Sequence, residues 1–206
     1  MLFSYGFLDE GDEVATALSL NLEIPDDDPL KKAKETVSTV APAIRISLED
    51  GGRTKWESAA IWLSCVNEED GLDFRILQTN DGERELKMMF KDQDVTQDSS
   101  QLPSLLEKDA LWQIFQLRAV AIAQGRVAEQ LQRLEHSESG VQAARTLDNM
   151  DERVWQLAVK LRRLESELLL RAYGDMEDQV SAILCRPVCR VQLTPTSIIE
   201  RSSCFV

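Results

Sequence analysis

The nucleophiles and metal ligands of this chain are few. It has four cysteines, Cys65, Cys185, Cys189 and Cys204, and one histidine, His136. Cys185 and Cys189 stand in a CxxxC spacing. A zinc site would need a second pair or neighbouring imidazoles, and only one imidazole exists. Any mechanism that uses two histidines is excluded by count. His136 falls at a helix end beside Ser137, where an ordinary polar capping role is expected. Asp26-Asp27-Asp28 could face a cation, but a calcium loop alternates its ligands around a central glycine and closes on a distal glutamate. Counted from Asp26, the twelfth position is Val37. The better reading is that the Asp28 carboxylate caps a helix with Pro29 at its first position. There is no Gly-rich phosphate loop, no GxSxG and no HExxH. What remains is aromatic: Tyr5 and Phe7 in the strand-like LFSYGFL, and Trp56 and Trp62, which read as core rather than as a ligand platform.

These side chains need elements to hold them. Leu18, Leu20, Leu22 and Ile24 alternate with polar residues, the period of a half-buried strand, after a possible helical turn at 12–16. KKAKETVSTV continues the helix that Asp28 starts and ends before Pro42. Ile44, Ile46 and Leu48 alternate again and stop at Asp50-Gly51-Gly52. A helix from about Lys55 to Asn67 would carry Trp56, Ala59, Ala60, Trp62, Leu63 and Val66. Residues 72–77 and 83–90 fit either strand or helix. KDQDVTQDSSQ has no period and reads as a surface loop.

The second half is more regular. From about Leu102 to Leu134 the apolar residues recur at three and four, through Leu105, Trp112, Phe115, Ala119, Ile122, Val127, Leu131 and Leu134. HSESG at 136–140 reads as a turn. A second long helix comes next, with Met150, Val154, Leu157, Leu161, Leu164 and Leu168 on a heptad seam. It could run on through Val180, Ile183 and Leu184 unless Gly174 interrupts it. A short connection predicts antiparallel neighbours, a long helical hairpin. Past Arg186-Pro187 the amphipathic helix period is gone, and residues 185–206 read as a poorly anchored tail.

The formal net charge is -13, which disfavours a phosphate backbone as partner and suits a basic protein. Acidity also serves solubility alone. No apolar run reaches transmembrane length, the first residues are too acidic for a signal peptide, and the cysteine usage fits a reducing compartment, cytoplasmic or nuclear.

LFSYGFLDE, with Tyr5-Gly6-Phe7-Leu8 and Glu10 close by, resembles the end of the SET domain in the Rubisco large-subunit methyltransferase-like group of protein-lysine methyltransferases. The segments after it fall in that group's order: LSLNLEIP, the DDDPLKKAK helix start, a mixed middle and two long terminal helices. The resemblance spans residues 2 to about 184, the first part by motif and the rest by layout. It implies a SET remnant at 1–10, a mainly α substrate-binding domain with the long hairpin at 11–184, and a protein substrate. It also implies that Tyr5 stands at the catalytic tyrosine and that Phe7 lines the lysine channel. A tyrosine hydroxyl beside the transferred methyl would orient the amine and favour developing charge. Both aromatics could instead be packing residues. S-adenosylmethionine would serve the complete enzyme. The Asn-His segment and Gly-rich strand that hold it are expected before Met1, so this chain alone is expected neither to bind it nor to turn over. Two alternatives stand beside this reading, a free-standing helical interaction module and a plain coiled-coil oligomer. The oligomeric state is not legible.

Overall fold

The computed structural model describes residues 15–38, 40–78, 81–96, 101–146 and 151–186. LFSYGFL, the supposed turn at 12–14, Met150 and residues 187–206 lie outside them. Ala15 and Thr16 are not helical.

The first sheet joins β1 (Ala17–Asn21), β2 (Ala43–Leu48) and β3 (Thr54–Glu57) in that order, all antiparallel. Its register sets Leu20 opposite Ile44, and Leu18 opposite Ile46, which faces Trp56 from the other side. Such directly opposed apolar pairs stabilise a sheet face. Here Leu20, Ile44 and Ile46 are buried in the core. The β3 strand corrects the expectation of a helix from Lys55. Glu49 N–H donates to Arg53 O, and Gly52 has φ +77, so Gly51-Gly52 turns the chain back to pair with β2. The helix, α2 (Ile61–Cys65), starts only after Ser58 Oγ accepts the Ile61 N–H.

Between β1 and β2 lies α1 (Lys31–Val37). It begins three residues after Asp28. That corrects the expected cap: Leu30, not Asp28, stands at the N-cap and Pro29 precedes the helix, while Asp28 accepts the Leu30 N–H at 2.8 Å in the turn before it. Its other oxygen takes the Nζ of Lys34 at 2.6 Å, and Lys34 is wholly buried.

A 3₁₀ turn, Glu68–Asp70, leads into the second antiparallel sheet: β4 (Leu72–Gln78), β5 (Arg84–Phe90) and β6 (Gln93–Asp94). Both ambiguous segments are therefore strands. Leu72 opposite Phe90 and Phe74 opposite Met88 anchor the near end, while Ile76 at the far end is 68% exposed. Gly71 sits at φ +97 with Lys91 Cγ 2.8 Å from where a Cβ would be, so only glycine fits. The supposed loop after β5 is in part structure. Lys91 and Asp92, both at positive φ, make a two-residue turn into β6, and Val95 is buried.

The expected stripe from Leu102 is two helices, α3 (Leu102–Leu106) and α4 (Trp112–His136). Asp109 makes the break: its Oδ1 accepts the Leu111 N–H at 2.9 Å and its main-chain oxygen accepts that of Trp112. A short carboxylate satisfying local amides in this way competes with helix continuation. α4 buries Phe115, Ala119, Val120, Ala123, Val127 and Leu134. The supposed turn at 136–140 is mostly a further helix, α5 (Glu138–Ala144). α6 (Glu152–Leu184) is capped by Asp151 and runs through Gly174 without interruption. The heptad seam is only half used. Leu164 and Leu168 are buried, but Val154 is 54% exposed.

One hydrophobic core runs from Leu20 through α2, β4, β5 and α4 to Ile183. Helix predominates, and it dominates residues 102–184 as expected. Among the described residues no helix is long and apolar enough to cross a membrane.

Candidate functional site

Tyr5 and Phe7 lie outside the described residues, so the fold brings neither to a described site. His136 ends α4, its Nδ1 2.8 Å from Gln132 O, in the capping position its sequence suggests. Cys65 is buried, as expected of a small hydrophobe, and burial pushes its thiol up to about 12. Cys185 is exposed, and Cys189 lies outside the described residues.

The sequence reading missed a cleft of about 610 Å³ where β3, α2 and α4 converge near the carboxy-terminal part of α6. Three tryptophans line it: Trp56 on β3, Trp62 on α2 and Trp112 at the start of α4. Each is half-buried and packs against the hydrophobic core. The Trp62 and Trp112 rings stack, with centroids 5.1 Å apart and planes at 30°. Trp56 Nε1 donates to Gln179 Oε1 of α6 at 3.1 Å, which fixes its ring at the edge. The β3 backbone is tied to α6 beside it. Asp175 Oδ2 accepts both the N–H and the Oγ1–H of Thr54, each at 2.7 Å. Burial raises the Asp175 carboxyl, and the two Thr54 donors more than offset it, so it titrates below the usual carboxylate value.

Glu57, Glu107 and Gln116 share the cleft. The hydrogen bond and charge of Lys55 hold Glu57 below its ordinary value, with Nζ and Oε1 2.6 Å apart. Glu107 has no ion-pair partner among the described residues. Gln116 Oε1 is buried and accepts no hydrogen bond from them. On the far side of α4, Arg118 donates to Cys65 O at 3.2 Å and to Asp70 Oδ2 at 2.5 Å. That fastens α2, and with it Trp62, against α4. The tryptophan spacing in sequence carries no signal, because Trp56 lies on a strand where the spacing predicts a helix and Trp112 falls within the apolar stripe.

A second cleft, of about 460 Å³, is lined by Asp27, Asp28, Glu68, Glu69 and Asn67. Among the described residues neither cleft offers a free cation to the amino-acid carboxylate of S-adenosylmethionine: the acidic cleft has none in its lining, and Lys55 in the tryptophan cleft is engaged with Glu57.

No family model matches the chain, and no solved structure matches it. Over 125 residues it is 26% identical to SET domain-containing protein 8 of Schizosaccharomyces pombe. The match covers 60% of this chain and 29% of that protein, so the chain spans less than a third of that relative. The chain is thus similar, over more than half its length, to a SET domain-containing protein.

Proposed function

We propose that this chain is the substrate-binding region of a SET-type protein-lysine methyltransferase of the Rubisco large-subunit methyltransferase-like group. In the complete enzyme S-adenosylmethionine supplies the methyl group. The Tyr5 hydroxyl orients the lysine amine and Phe7 lines the channel that admits it. α4 and α6 serve as an antiparallel helical scaffold for the protein substrate. Two contacts support that direction: Arg162 of α6 reaches Leu134 O at the end of α4, while Gln179 shares a cleft with Trp112 and Val120 at its beginning. The observation that carries the reading is the similarity to a SET domain-containing protein, joined to a Tyr5-Gly6-Phe7 motif that leads into a mainly helical region.

The test uses a longer chain in which a cofactor-binding SET segment precedes Tyr5. Transfer of radiolabelled methyl groups to lysines of an acceptor protein is the readout. Tyr5→Phe removes one hydroxyl and should lower turnover by ~10²–10³ with cofactor binding nearly unchanged. Near-normal turnover in the folded variant would refute the role. For the 206-residue chain alone, calorimetry should detect no micromolar S-adenosylmethionine binding.

A second reading is a protein-interaction module that needs no catalytic partner. It is favoured by the tryptophan cleft, whose lining comes entirely from residues 54–179. Under that reading the chain binds its partner with unchanged affinity whether or not a SET segment is attached.

A further inference from the structure

We propose that the tryptophan cleft receives an arginine side chain from a basic segment of a protein partner. The proposal rests on the reading of this region as protein-binding and names the chemistry it selects. Three of the four tryptophans of the chain converge on this one cleft, on three different elements. Indole faces attract cations through the negative potential of the ring, and the planar guanidinium stacks on them better than an ammonium does. The polar groups among them ask for the same ligand. Glu107 offers a carboxylate with no cation of its own among the described residues, while Glu57 at the rim is paired with Lys55. Gln116 Oε1 is a buried acceptor without a donor among the described residues. Leaving a buried acceptor unsatisfied is costly, so a ligand N–H that meets this amide once it turns toward the cleft recovers part of that cost.

A guanidinium has five N–H groups in a fixed fork and can serve an amide oxygen and a carboxylate at once. A free anion or a phosphate backbone would meet the unpaired Glu107 carboxylate and the indole rings, and Lys55, the cation among the described lining residues, is already held by Glu57. An uncharged apolar side chain would stack but would leave Gln116 and Glu107 unserved. The volume, about 610 Å³, holds one long side chain and the backbone either side of it. The net charge of -13 draws basic segments toward the surface before they find the cleft.

The experiment is a two-dimensional NMR titration of the nitrogen-15-labelled chain, read at the four indole N–H signals. The probes are blocked pentapeptides of four glycines around a central arginine, lysine, citrulline or norleucine. The arginine peptide should shift the signals of Trp56, Trp62 and Trp112 saturably and leave Trp155, which lies against α5, in place. Lysine should bind more weakly, and citrulline and norleucine weaker still. Glu107→Gln, at an exposed position that does not threaten the fold, should weaken the arginine peptide about two- to fivefold at low salt. Gln116→Met, close in volume, should weaken it further. Equal response to arginine and norleucine peptides, or shifts that include Trp155 equally, would overturn the proposal. So would indifference to both substitutions. Because the chain is tested alone, such failure leaves the methyltransferase reading standing. Conversely, loss of Tyr5-dependent methylation leaves the peptide result intact.

Discussion

Lys34 is wholly buried and Asp28 is its ion-pair partner, with Nζ and Oδ2 2.6 Å apart and the Asp28 side chain only 9% exposed. Asp28→Asn tests what that pair does. Asparagine keeps an oxygen for the Leu30 N–H, so the local turn survives and only the charge is lost. The ammonium of Lys34 is then left in the core without a counter-charge. Breaking a buried pair from one side costs ~3–5 kcal/mol, a large share of the ~5–15 kcal/mol that holds a typical domain together. At ~2–4 °C per kcal/mol for a chain of this size, the melting temperature should fall by about 6–20 °C. The double variant Asp28→Asn with Lys34→Met removes both charges and fills the space with an unbranched apolar chain. It should recover most of the loss and lie within about 2 kcal/mol of the parent, because desolvating two charges offsets most of their attraction. Urea unfolding followed by tryptophan fluorescence gives all the free energies of the cycle. A cost below about 1 kcal/mol for Asp28→Asn would refute the argument. So would a double variant as unstable as the single.

Cys65 should resist thiol reagents in the native chain, its thiol being buried and raised to about 12, while exposed Cys185 reacts; mass mapping after alkylation, with and without urea, reads both. Glu165 is raised by burial, so the folded chain holds its proton more tightly than the unfolded one, and stability falls as pH rises from the ordinary glutamate range through that raised value. Glu165→Gln should therefore stabilise the chain at pH 7, with the gain fading in acid; a pH series of melting temperatures would show it, and a loss at neutral pH would contradict it. Asp175 has the opposite sign: held below its ordinary value, it stabilises the fold above the usual carboxylate range, and that contribution disappears as pH falls through the lowered value. Asp175→Ala frees Thr54 from α6 and should cost about 1.5–3 kcal/mol for the lost bonds to a charged acceptor, measured by urea unfolding.

The elements legible in the sequence were those whose period met no local competition. Leu18 and Leu20, and Ile44, Ile46 and Leu48, alternated and became β1 and β2. The three/four spacing after Trp112 became α4, and the similar pattern after Glu152 became α6. Failures came where one polar side chain or a turn overrode the pattern. Asp109 split the stripe by capping Leu111, a contact that no periodicity reports. Trp56 fits the spacing of the α2 helix, but Gly51-Gly52 returns the chain to β2 first. Lys91 and Asp92 turn at positive φ, which their residue types do not advertise, so β6 was read as loop. The burial of Lys34 has no signal in the sequence, because its partner stands six residues earlier and outside the helix. The tryptophan cleft was illegible for a related reason. Its walls come from segments far apart in sequence, and only the docking of β3 and α2 onto α4 and α6 brings them together. Tyr5 and Phe7 rest on the motif alone.

α6 is a single unbroken helix of 33 residues, about 50 Å long, yet its two ends live in different surroundings. From Leu164 to Ile183 it is a wall of the core. Its first turns, with Val154 exposed and Leu157 half-buried, are held chiefly through Trp155, whose Nε1 donates to Val141 O of α5 and whose ring lies under Arg145. Amide hydrogen exchange should therefore grade along one continuous helix. The carboxy-terminal amides should open only with global unfolding, and the amino-terminal ones through local fraying that breaks few core contacts. An encounter at that end can then reshape two or three turns, together with α5, for little free energy, while the tryptophan cleft roughly 36 Å farther along the helix keeps its geometry.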